Sequence, residues 1–324
     1  MRLPQHLLDS PFFQFTTQEE LSKALTGTVE EEEYAEIQRL VCVGLPPVTS
    51  RFALAAMFGI NPGLIWSFES QTNRHYRTFF LPKGKDRRQI DAPHVGLKII
   101  QKWLSIQLQK SYLPDDHVYG FIANRSHVQA AARHCRAVWV FSVDIRNFFQ
   151  STPQVLVTSS LEKMGFHSDG ARLLSRLCCL RGALAQGAPS SPILSNICFQ
   201  ELDQLLLQIA TRYGVQLTRY ADDIVFSGRE KFPEALRQEV TRAFDGGIWR
   251  LAEEKTRLSI LPNRLKVHGL LVHGENVRLT KGYRNRLRAF RHLIANAKID
   301  SKDLAKVQGH LIYGAFVEKV KIAS

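Results

Sequence analysis

The spacing of apolar residues predicts helices near both ends of the chain and a mixed centre. Residues 1–75 include runs with helical spacing, such as 53–58, and we expect a helical N-terminal extension there. From Tyr76 to Ile90, apolar and polar residues alternate on both sides of a Lys-Gly-Lys turn, which predicts a β-hairpin with a basic tip. A helix is then predicted to begin at residues 91–93.

Short apolar runs alternate with helical patterns in the centre of the chain. Residues 137–142 are almost wholly apolar, which predicts a buried strand that ends at Asp144. Further elements are predicted in this order: helices at 155–180 and 192–213, strands at 215–219 and 224–227, and a helix at 231–244. The two strands meet at Asp222 and Asp223, which places both acids at the turn of a hairpin.

The C-terminal part combines a second hairpin with a basic tail. Residues 267–272 and 277–279 are predicted to pair around a turn at 273–276. Apolar residues at helical spacing predict that the tail, residues 281–322, is helical. A helical start, a mixed centre and a helical tail together predict an α+β chain.

The charge balance favours a polyanionic partner. Lys and Arg outnumber Asp and Glu by 43 to 30, for a formal net charge of +13. Such an excess is typical of proteins that bind nucleic acid or an anionic membrane surface. No stretch has the length and apolar character of a membrane span, and the first residues lack the apolar core of a signal peptide. We expect a nucleic-acid partner and no membrane; a basic protein without such a partner is the alternative.

The cysteines and histidines form no recognisable metal or disulfide pattern. The five cysteines include no C-x-x-C pair, and the eleven histidines include no H-x-x-x-H or H-E-x-x-H pair. Cysteines without a pattern are typical of reduced, buried thiols, and a zinc site is not expected. We therefore expect a cytoplasmic protein.

Three aspartates stand at the ends of predicted strands. Asp144 closes the apolar strand, and Asp222 and Asp223 lie at the hairpin turn. If these strands are neighbours in one sheet, the three carboxylates converge, and a divalent cation such as Mg²⁺ is needed to offset their repulsion. Two such ions, about 3.5–4 Å apart, stabilise the attacking and leaving oxygens of a phosphoryl displacement. The alternative is that Asp222 and Asp223 only occupy a turn, where Asp is common.

Seven short motifs, in order from about residue 76 to the end, resemble the motifs of reverse transcriptases. They are residues 88–93, 119–121 with 124–126, 144–149, 185–192 with Asn196, 220–223, 254–256 and 267–270. Tyr220-Ala221-Asp222-Asp223 is similar to the Y-x-D-D motif of that family. The resemblance implies a right-hand polymerase with fingers, a palm made of an antiparallel sheet backed by helices, and a helical thumb. It also implies RNA-directed DNA synthesis with two Mg²⁺ ions and deoxynucleoside triphosphates.

The resemblance assigns the catalytic and metal-binding roles to five residues. Asp144, Asp222 and Asp223, together with Ile145, are the implied metal ligands. Lys255 is expected to act as a general acid on the departing pyrophosphate, with an ordinary surface lysine as the alternative.

Nucleotide binding is expected from a second set of residues. They are Arg88, Lys83, Lys85, Phe149, Gln186, Tyr220 and Ala221. Arg88 can bind phosphate oxygens in a bidentate manner, with Lys83 or Lys85 as a second cation. Phe149 is expected to exclude a 2′-hydroxyl, whereas Phe148 is expected in the core. The glycine after Gln186 would let the backbone approach a nucleotide closely.

The length and the motif sequences most resemble bacterial retron reverse transcriptases. That resemblance implies a structured non-coding RNA as template and primer, and synthesis from an internal guanosine 2′-hydroxyl to give a branched RNA–DNA hybrid (msDNA). It also implies antiphage defence with a separate effector protein. Two positions differ from the retron motifs, and Ala252 stands where Asn is common in the palm motif. Ala130 stands where Asn is expected in an N-A-x-x-H motif, and His268 replaces Thr in a V-T-G motif.

Contacts with RNA or a duplex are expected in the motif at 119–126, in both retron motifs and in the thumb. The residues are Arg125, His134, His268, Gly269, Lys281, Arg284, Arg288 and Arg291. Basic residues along one helix can follow a duplex through phosphate contacts, and a solvated helix face is the alternative. The predicted domains are the extension at 1–75, fingers and palm at 76–275, and the thumb at 276–324.

Two other functions are compatible with the sequence. One is a reverse transcriptase of another defence system or of intron origin, without branched priming. The other is a catalytically idle scaffold that binds RNA or an effector. The three aspartates, with Gln186 and Arg88, favour catalysis over the scaffold.

Overall fold

The computed structural model describes residues 4–84, 86–296 and 298–320. The helices are α1 Gln5–Asp9, α2 Gln18–Leu25, α3 Glu31–Cys42, α4 Arg51–Phe58, α5 Pro62–Ser70, α6 Val95–Ser111, α7 His127–Ala132, α8 Gln154–Met164, α9 Ser168–Cys178, α10 Ser191–Arg212, α11 Glu234–Arg242, α12 Lys281–Ala295 and α13 Ser301–Lys319. The strands are β1 Tyr76–Lys83, β2 Asp86–Pro93, β3 Trp139–Asp144, β4 Cys179–Leu180, β5 Ala183–Leu184, β6 Gln216–Tyr220, β7 Asp223–Gly228, β8 Arg257–Ile260, β9 Lys266–Val267 and β10 Leu270–Leu271. Short 3₁₀ helices cover Thr72–His75 and Glu253–Lys255. Across these described residues, no helix has the length and apolar character needed to cross a membrane.

The chain divides into two compact units. The first unit comprises Met1–Pro114 and Asn147–Glu201, and the second comprises Asp115–Arg146 and Leu202–Ser324. Helix α10 begins in the first unit and ends in the second.

The helices predicted for residues 1–75 are present in the first unit. Thr17, Ser50 and Asn61 precede α2, α4 and α5, and each side chain accepts a hydrogen bond from a backbone N–H of the first turn. The indole Nε1 of Trp103, on α6, donates to the carbonyl of Ser10 at 2.8 Å. This hydrogen bond joins α6 to the end of α1, in addition to the apolar packing there.

The predicted basic hairpin is formed by β1 and β2, but the predicted start of the next helix is wrong. The two strands pair without interruption from Tyr76 with Pro93 to Lys83 with Asp86, and α6 begins only at Val95. Asp91 stays in the strand because its buried carboxylate accepts a hydrogen bond of 2.5 Å from a residue on β1.

Residues 155–180 do not form the single predicted helix. Gly165 has a φ of 115°, a left-handed conformation that ends α8, and α9 starts three residues later. The chain then enters the two-stranded pair of β4 and β5. The pattern missed this break because both helices are amphipathic.

The second unit contains a four-stranded antiparallel sheet in the order β6-β7-β3-β8. β3 and β7 lie in the middle, and their apolar side chains, including Phe141 and Phe226, are fully buried. β3 pairs with β7 along its whole length, from Trp139 with Gly228 to Asp144 with Asp223. The α+β architecture with an antiparallel sheet is thus confirmed.

The C-terminal hairpin differs from its prediction. Residues 267–272 are not one strand, because the chain reverses at His268 and Gly269, which have φ values of 49° and 81°. β9 and β10 pair across this reversal, and Leu271 then bridges to Arg278. The helix predicted at 231–244 is confined to α11, and the helical tail consists of α12 and α13, which pack on the core through Leu287 and Val317.

Candidate active site

Three aspartates predicted to act together lie at one end of the sheet. Asp144 ends β3, and it pairs in register with Asp223, the first residue of β7. The backbone N–H of Ile145 donates to the carbonyl of Asp222 at 3.0 Å. The central pairing of the sheet therefore brings together acids that are almost eighty positions apart in sequence.

A tight turn carries two of these acids. The two residues between β6 and β7 are Ala221 and Asp222, and Ala221 has a φ of 58° without being glycine. Gly120 lies directly against this turn, since a Cβ on it would stand 2.2 Å from the backbone nitrogen of Ala221. The N–H groups of Tyr119 and Gly120 donate to the carbonyl of Arg219. A neighbouring loop thus supports the turn, and only glycine allows that approach.

A buried ion pair fixes the strand that leads into the turn. The guanidinium of Arg219 and the carboxylate of Asp203 are fully buried, and two hydrogen bonds of 2.7 Å and 2.5 Å join them. Nη1 of Arg219 also donates to the carbonyl of Ala221 at 3.1 Å, and His117 Nε2 lies 3.4 Å from Asp203 Oδ1. Burial alone would raise the pKa of Asp203, but the charge and hydrogen bonds of Arg219, with His117 close by, outweigh it and lower that pKa.

Sequence reasoning missed this ion pair, although two signals pointed to it. Asp203 is an acid among the apolar residues of α10, and Arg219 shares with Leu217 one face of β6, which alternation along a strand predicts to be buried together. A buried charge of either sign requires a partner. The two signals could have been joined only by knowing that α10 packs on β6.

The supporting loop is itself held by Arg125. Nη1 of Arg125 donates to the carbonyls of Asp115 and Val118 at 2.5 Å and 2.6 Å. The guanidinium also lies over the ring of Tyr119, 5.9 Å from its centroid. These contacts give Arg125 a structural role, and the RNA contact expected of it stays a prediction.

The three acids differ in their partners. Lys255 Nζ lies 2.5 Å from Asp144 Oδ1, and His268 Nδ1 lies 3.0 Å from Asp223 Oδ2. Burial, followed by repulsion from Asp144, raises the pKa of Asp222 above its ordinary value. The site therefore holds one carboxylate whose charge is poorly compensated by the protein.

The chemistry of this acid group fits a divalent cation. Mg²⁺ takes oxygen ligands, which the three carboxylates and a main-chain carbonyl such as that of Ile145 supply. Burial and the charge of Asp144 raise the pKa of Asp222, so a cation beside it would favour its ionised form. Within the described ranges, no three His, Cys, Asp or Glu side chains already stand as ligands of one ion.

The histidine of the first retron motif was expected to contact RNA, but it is buried. His134 is buried, and its Nδ1 and Nε2 lie 2.7 Å from the hydroxyls of Ser227 and Thr218. Burial lowers the pKa of His134 to about 3, so the ring is a neutral link between β6 and β7. The predicted RNA contact at His134 is not supported, because the ring has no exposed surface. Ala130 is also fully buried.

His268 faces the acids instead of solvent. Its side chain is 8% exposed, and its ring lies 5.4 Å from that of Tyr220. Its contact with Asp223 makes it a neighbour of the catalytic turn, which argues against the predicted direct contact with RNA through the same ring. Gly269 next to it is exposed, with open space around its Cα.

The predicted nucleotide-binding residues outside the acid group lie mainly in the first unit. Arg88 is exposed on β2; Lys83 ends β1, and Lys85 lies outside the described residues. Phe149 is half-buried, whereas Phe148 is buried against Phe199, as predicted for a core residue.

Gln186 and the glycine after it support the hairpin. The carbonyl of Gln186 accepts a hydrogen bond of 2.8 Å from the N–H of Asp91. Gly187 has a φ of 124°, and a Cβ on it would stand 2.8 Å from Ile90 and 2.9 Å from the carbonyl of Asp91. The close backbone approach predicted for a nucleotide is therefore made to β2 in this structure.

The predicted thumb cations share one exposed helix face. Lys281, Arg284, Arg288 and Arg291 follow each other on α12 at intervals of three, four and three residues. All four are exposed, and in the part of the chain that the structure covers none forms an ion pair. The face is free to contact a polyanion.

Known proteins share this sequence pattern. The family model described as "Reverse transcriptase (RNA-dependent DNA polymerase)" matches residues 81–275. Retron Mx65 reverse transcriptase of Myxococcus xanthus is 30% identical, over 85% of this chain and 70% of that protein. Retron Mx162 reverse transcriptase of the same organism is 30% identical, over 79% of this chain and 60% of that protein. Retron Ec86 reverse transcriptase of Escherichia coli is 26% identical, over 88% of this chain and 90% of that protein.

Proposed function

Because this chain belongs to the reverse transcriptase family, and within it to the retron type, we propose that it makes branched msDNA. In this proposal the chain copies part of a structured non-coding RNA into DNA, starting from an internal guanosine 2′-hydroxyl. The observation that carries the proposal is the pairing of Asp144 with Asp223 beside the tight turn that holds Asp222.

The acids and their neighbours supply the proposed catalytic centre. Asp144, Asp222 and Asp223, with the carbonyl of Ile145, would hold two Mg²⁺ ions. When bound, such ions stabilise the attacking and leaving oxygens of a phosphoryl transfer. Lys255, whose Nζ lies 2.5 Å from Asp144 Oδ1, would donate a proton to departing pyrophosphate.

Residues of the first unit are proposed to bind the incoming deoxynucleotide. Arg88, with Lys83 or Lys85, would bind its phosphates, because an exposed guanidinium forms two parallel hydrogen bonds with a phosphate group. Phe149 would exclude a 2′-hydroxyl, and Gln186 would contact the nucleotide through its side chain. In the second unit, Tyr220 and Ala221 on the catalytic turn are proposed as further nucleotide contacts.

The template-primer duplex is proposed to lie along α12. Lys281, Arg284, Arg288 and Arg291 are exposed on one face, which suits salt-dependent contact with successive phosphates. Gly269, at the exposed β9–β10 reversal, adds a point of close backbone approach. In the cell, we propose cytoplasmic antiphage defence together with a separate effector protein.

DNA synthesis by the purified protein with its copurifying RNA tests the proposal. With Mg²⁺ and labelled deoxynucleotides, we expect labelled DNA joined to RNA through a linkage that a 2′,5′-debranching enzyme cleaves. The Asp222→Asn, Asp223→Asn double variant should make no product, and Asp245→Asn, an exposed aspartate of the same unit, should match wild type.

Three outcomes would count against parts of the proposal. No DNA from wild type, on its own RNA or on a generic primer–template, would refute the polymerase function. Undiminished synthesis by the double variant would refute the assignment of the acids. DNA without a debranchable linkage would refute branched priming.

A further inference from the structure

A cavity of about 560 Å³ lies in the second unit, at the end of the sheet opposite the acids. Trp139 and Gly228, which pair at the far end of β3 and β7, line it, whereas Asp144 and Asp223 pair at the near end. Five residue steps separate the two ends, which is about 16 Å along a strand. The cavity is therefore separate from the catalytic centre.

Three cations without acidic partners line this cavity. Arg133, Arg229 and Lys231 are exposed, and among the described residues none has a carboxylate within 4 Å. Glu230 is the one acid among the described lining residues. Three positive charges against one negative charge make the cavity attractive to an anion.

A second cavity, in the first unit, also has arginines in its wall, but these are paired with acids. That cavity has a volume of about 700 Å³, and Arg51, Arg172 and Arg176 line it. Each of these arginines is bonded to a carboxylate, Glu69 in two cases and Asp169 in the third. The three cations around the second-unit cavity differ from these arginines, because no carboxylate of the described residues pairs with them.

The wall of the second-unit cavity is fixed by contacts within the protein. The indole Nε1 of Trp139 donates to the carbonyl of Glu230 at 2.8 Å. A Cβ on Gly228 would stand 2.5 Å from the Trp139 ring, so the strand and the indole are in close contact. Ser227 in the same wall is held by His134. The cavity is thus preformed, with a volume typical of ligand sites.

We propose that this cavity binds an unpaired nucleotide of an RNA, with Arg133, Arg229 and Lys231 on the phosphates that flank it. Guanidinium and ammonium groups bind phosphate oxygens, and the half-buried ring of Tyr213 offers an aromatic edge to a base. A duplex is too wide for a cavity of this volume, whereas an unstacked nucleotide from a loop or bulge fits it. The inference rests on the proposed function only in taking RNA as the partner.

The test removes the three cations together. An Arg133→Ala, Arg229→Ala, Lys231→Ala variant is compared with wild type for binding of the copurifying RNA across a series of salt concentrations. We expect affinity at low salt to fall at least about tenfold, and the slope of log K against log salt to lose about 0.7 for each phosphate contact removed. Unchanged affinity and slope would overturn the proposal.

A matched control removes three cations that have acidic partners. Lys163, Arg172 and Lys302 are exposed, and each forms an ion pair. The triple alanine variant at these positions changes net charge equally, so we expect its affinity to stay within about twofold of wild type. An equal loss of affinity in both triple variants would show that only net charge matters, which overturns a specific site.

A cavity-filling variant separates entry of a nucleotide from attraction at the surface. Gln216→Trp adds volume to the wall without changing charge. We expect RNA affinity to fall at least about fivefold, since the nucleotide can no longer enter; wild-type affinity would overturn the cavity as the binding place. A thermal melt near that of wild type shows that the variant is folded.

DNA synthesis on a generic primer–template separates this inference from the proposed function. The three-cation variant should extend such a substrate within about twofold of wild type, because the cavity lies far from the acids. Its synthesis on the copurifying RNA should fall with RNA affinity. If wild type itself fails on the generic substrate, the polymerase proposal fails, while the binding measurements still decide the cavity.

Discussion

Two aspartates of the second unit illustrate opposite uses of a carboxylate. Asp203 is fully buried, and Arg219, with His117 nearby, lowers its pKa despite the burial. Asp222 is less deeply buried, but burial and the charge of Asp144 raise its pKa. The protein thus supplies a counter-charge to Asp203, which supports the turn. It leaves Asp222, which lies on the turn, with too little positive charge around it.

The two acids have different roles, although both are connected to the same hairpin. Arg219 holds Asp203 through its guanidinium, and the same group donates to the carbonyl of Ala221 in the catalytic turn. The paired acid therefore fixes the position of the unpaired one. An acid group with raised pKa on a rigid support is the arrangement expected where a cation or a substrate supplies the missing charge.

The largest effect is expected from removal of the buried support. Asp203→Ala leaves the Arg219 guanidinium buried without its counter-charge, and such changes cost about 3–5 kcal/mol. Thermal and urea unfolding of the second unit should shift accordingly, and DNA synthesis should fall because the turn loses its anchor. Unfolding followed by tryptophan fluorescence measures the first effect.

The matched control removes both charges at once. Asp203→Leu combined with Arg219→Met replaces the ion pair by apolar side chains of similar volume, and it should recover most of the lost stability. DNA synthesis should not recover equally, because Met cannot donate to the carbonyl of Ala221. Full recovery of both would show that Arg219 does not position the turn.

A smaller effect is expected from crowding of the turn. Gly120→Ala places a Cβ 2.2 Å from the backbone nitrogen of Ala221, so either the loop or the turn must move. We expect a stability loss of about 1–3 kcal/mol and a fall in DNA synthesis of about 10²-fold, since a shift of about 1 Å in a catalytic group has that effect. Steady-state extension of a primer–template measures it, with kcat affected more than KM.

Gly309→Ala on α13 is the control for the glycine substitution. Its added Cβ meets nothing within 4 Å, and alanine is favoured in a helix. Stability should stay equal or rise slightly, with unchanged synthesis. If Gly120→Ala behaved in the same way, the close contact between loop and turn would be of no consequence.

The elements around the catalytic turn were predictable because their patterns are local. Short apolar runs located β3, β6 and β7 within one or two residues, and the motif around Tyr220 identified the hairpin. The pairing of Asp144 with Asp223 was a conditional expectation, since no local pattern specifies which strands are neighbours.

What the sequence could not predict depends on contacts between distant segments. Arg125 and His134 were each assigned to RNA, but the contacts that the structure shows for them are with a loop and with two strands of the same unit. Polar residues in a motif can serve either purpose, and only burial distinguishes them. His268 is a similar case, because its neighbour Asp223 is 45 residues away in sequence.

The smallest change in stability, and one of opposite sign, is expected from substitution of Asp222, the acid with the raised pKa. Without divalent ions, Asp222→Asn should raise the stability of the second unit by about 0.5–1 kcal/mol while abolishing DNA synthesis, since active-site charges are often kept at the expense of stability. The sign follows from the pKa. The folded state holds this proton more tightly than the unfolded state, whose ordinary pKa is 3.8, so ionised Asp222 is destabilising.

The stability gain from Asp222→Asn should therefore depend on both pH and Mg²⁺. Below about pH 3.8 both states of the wild type are protonated, and the two proteins should unfold alike; the gap opens as pH rises through the folded pKa and then stays constant. Added Mg²⁺ should raise the Tm of wild type more than that of the variant and close the gap, because a bound ion offsets the repulsion and stabilises the folded state. Asp245→Asn, at an exposed site, should show neither effect. A gap that is the same at every pH and at every Mg²⁺ concentration would mean that Asp222 resembles Asp203 after all, an acid whose charge the protein has already compensated.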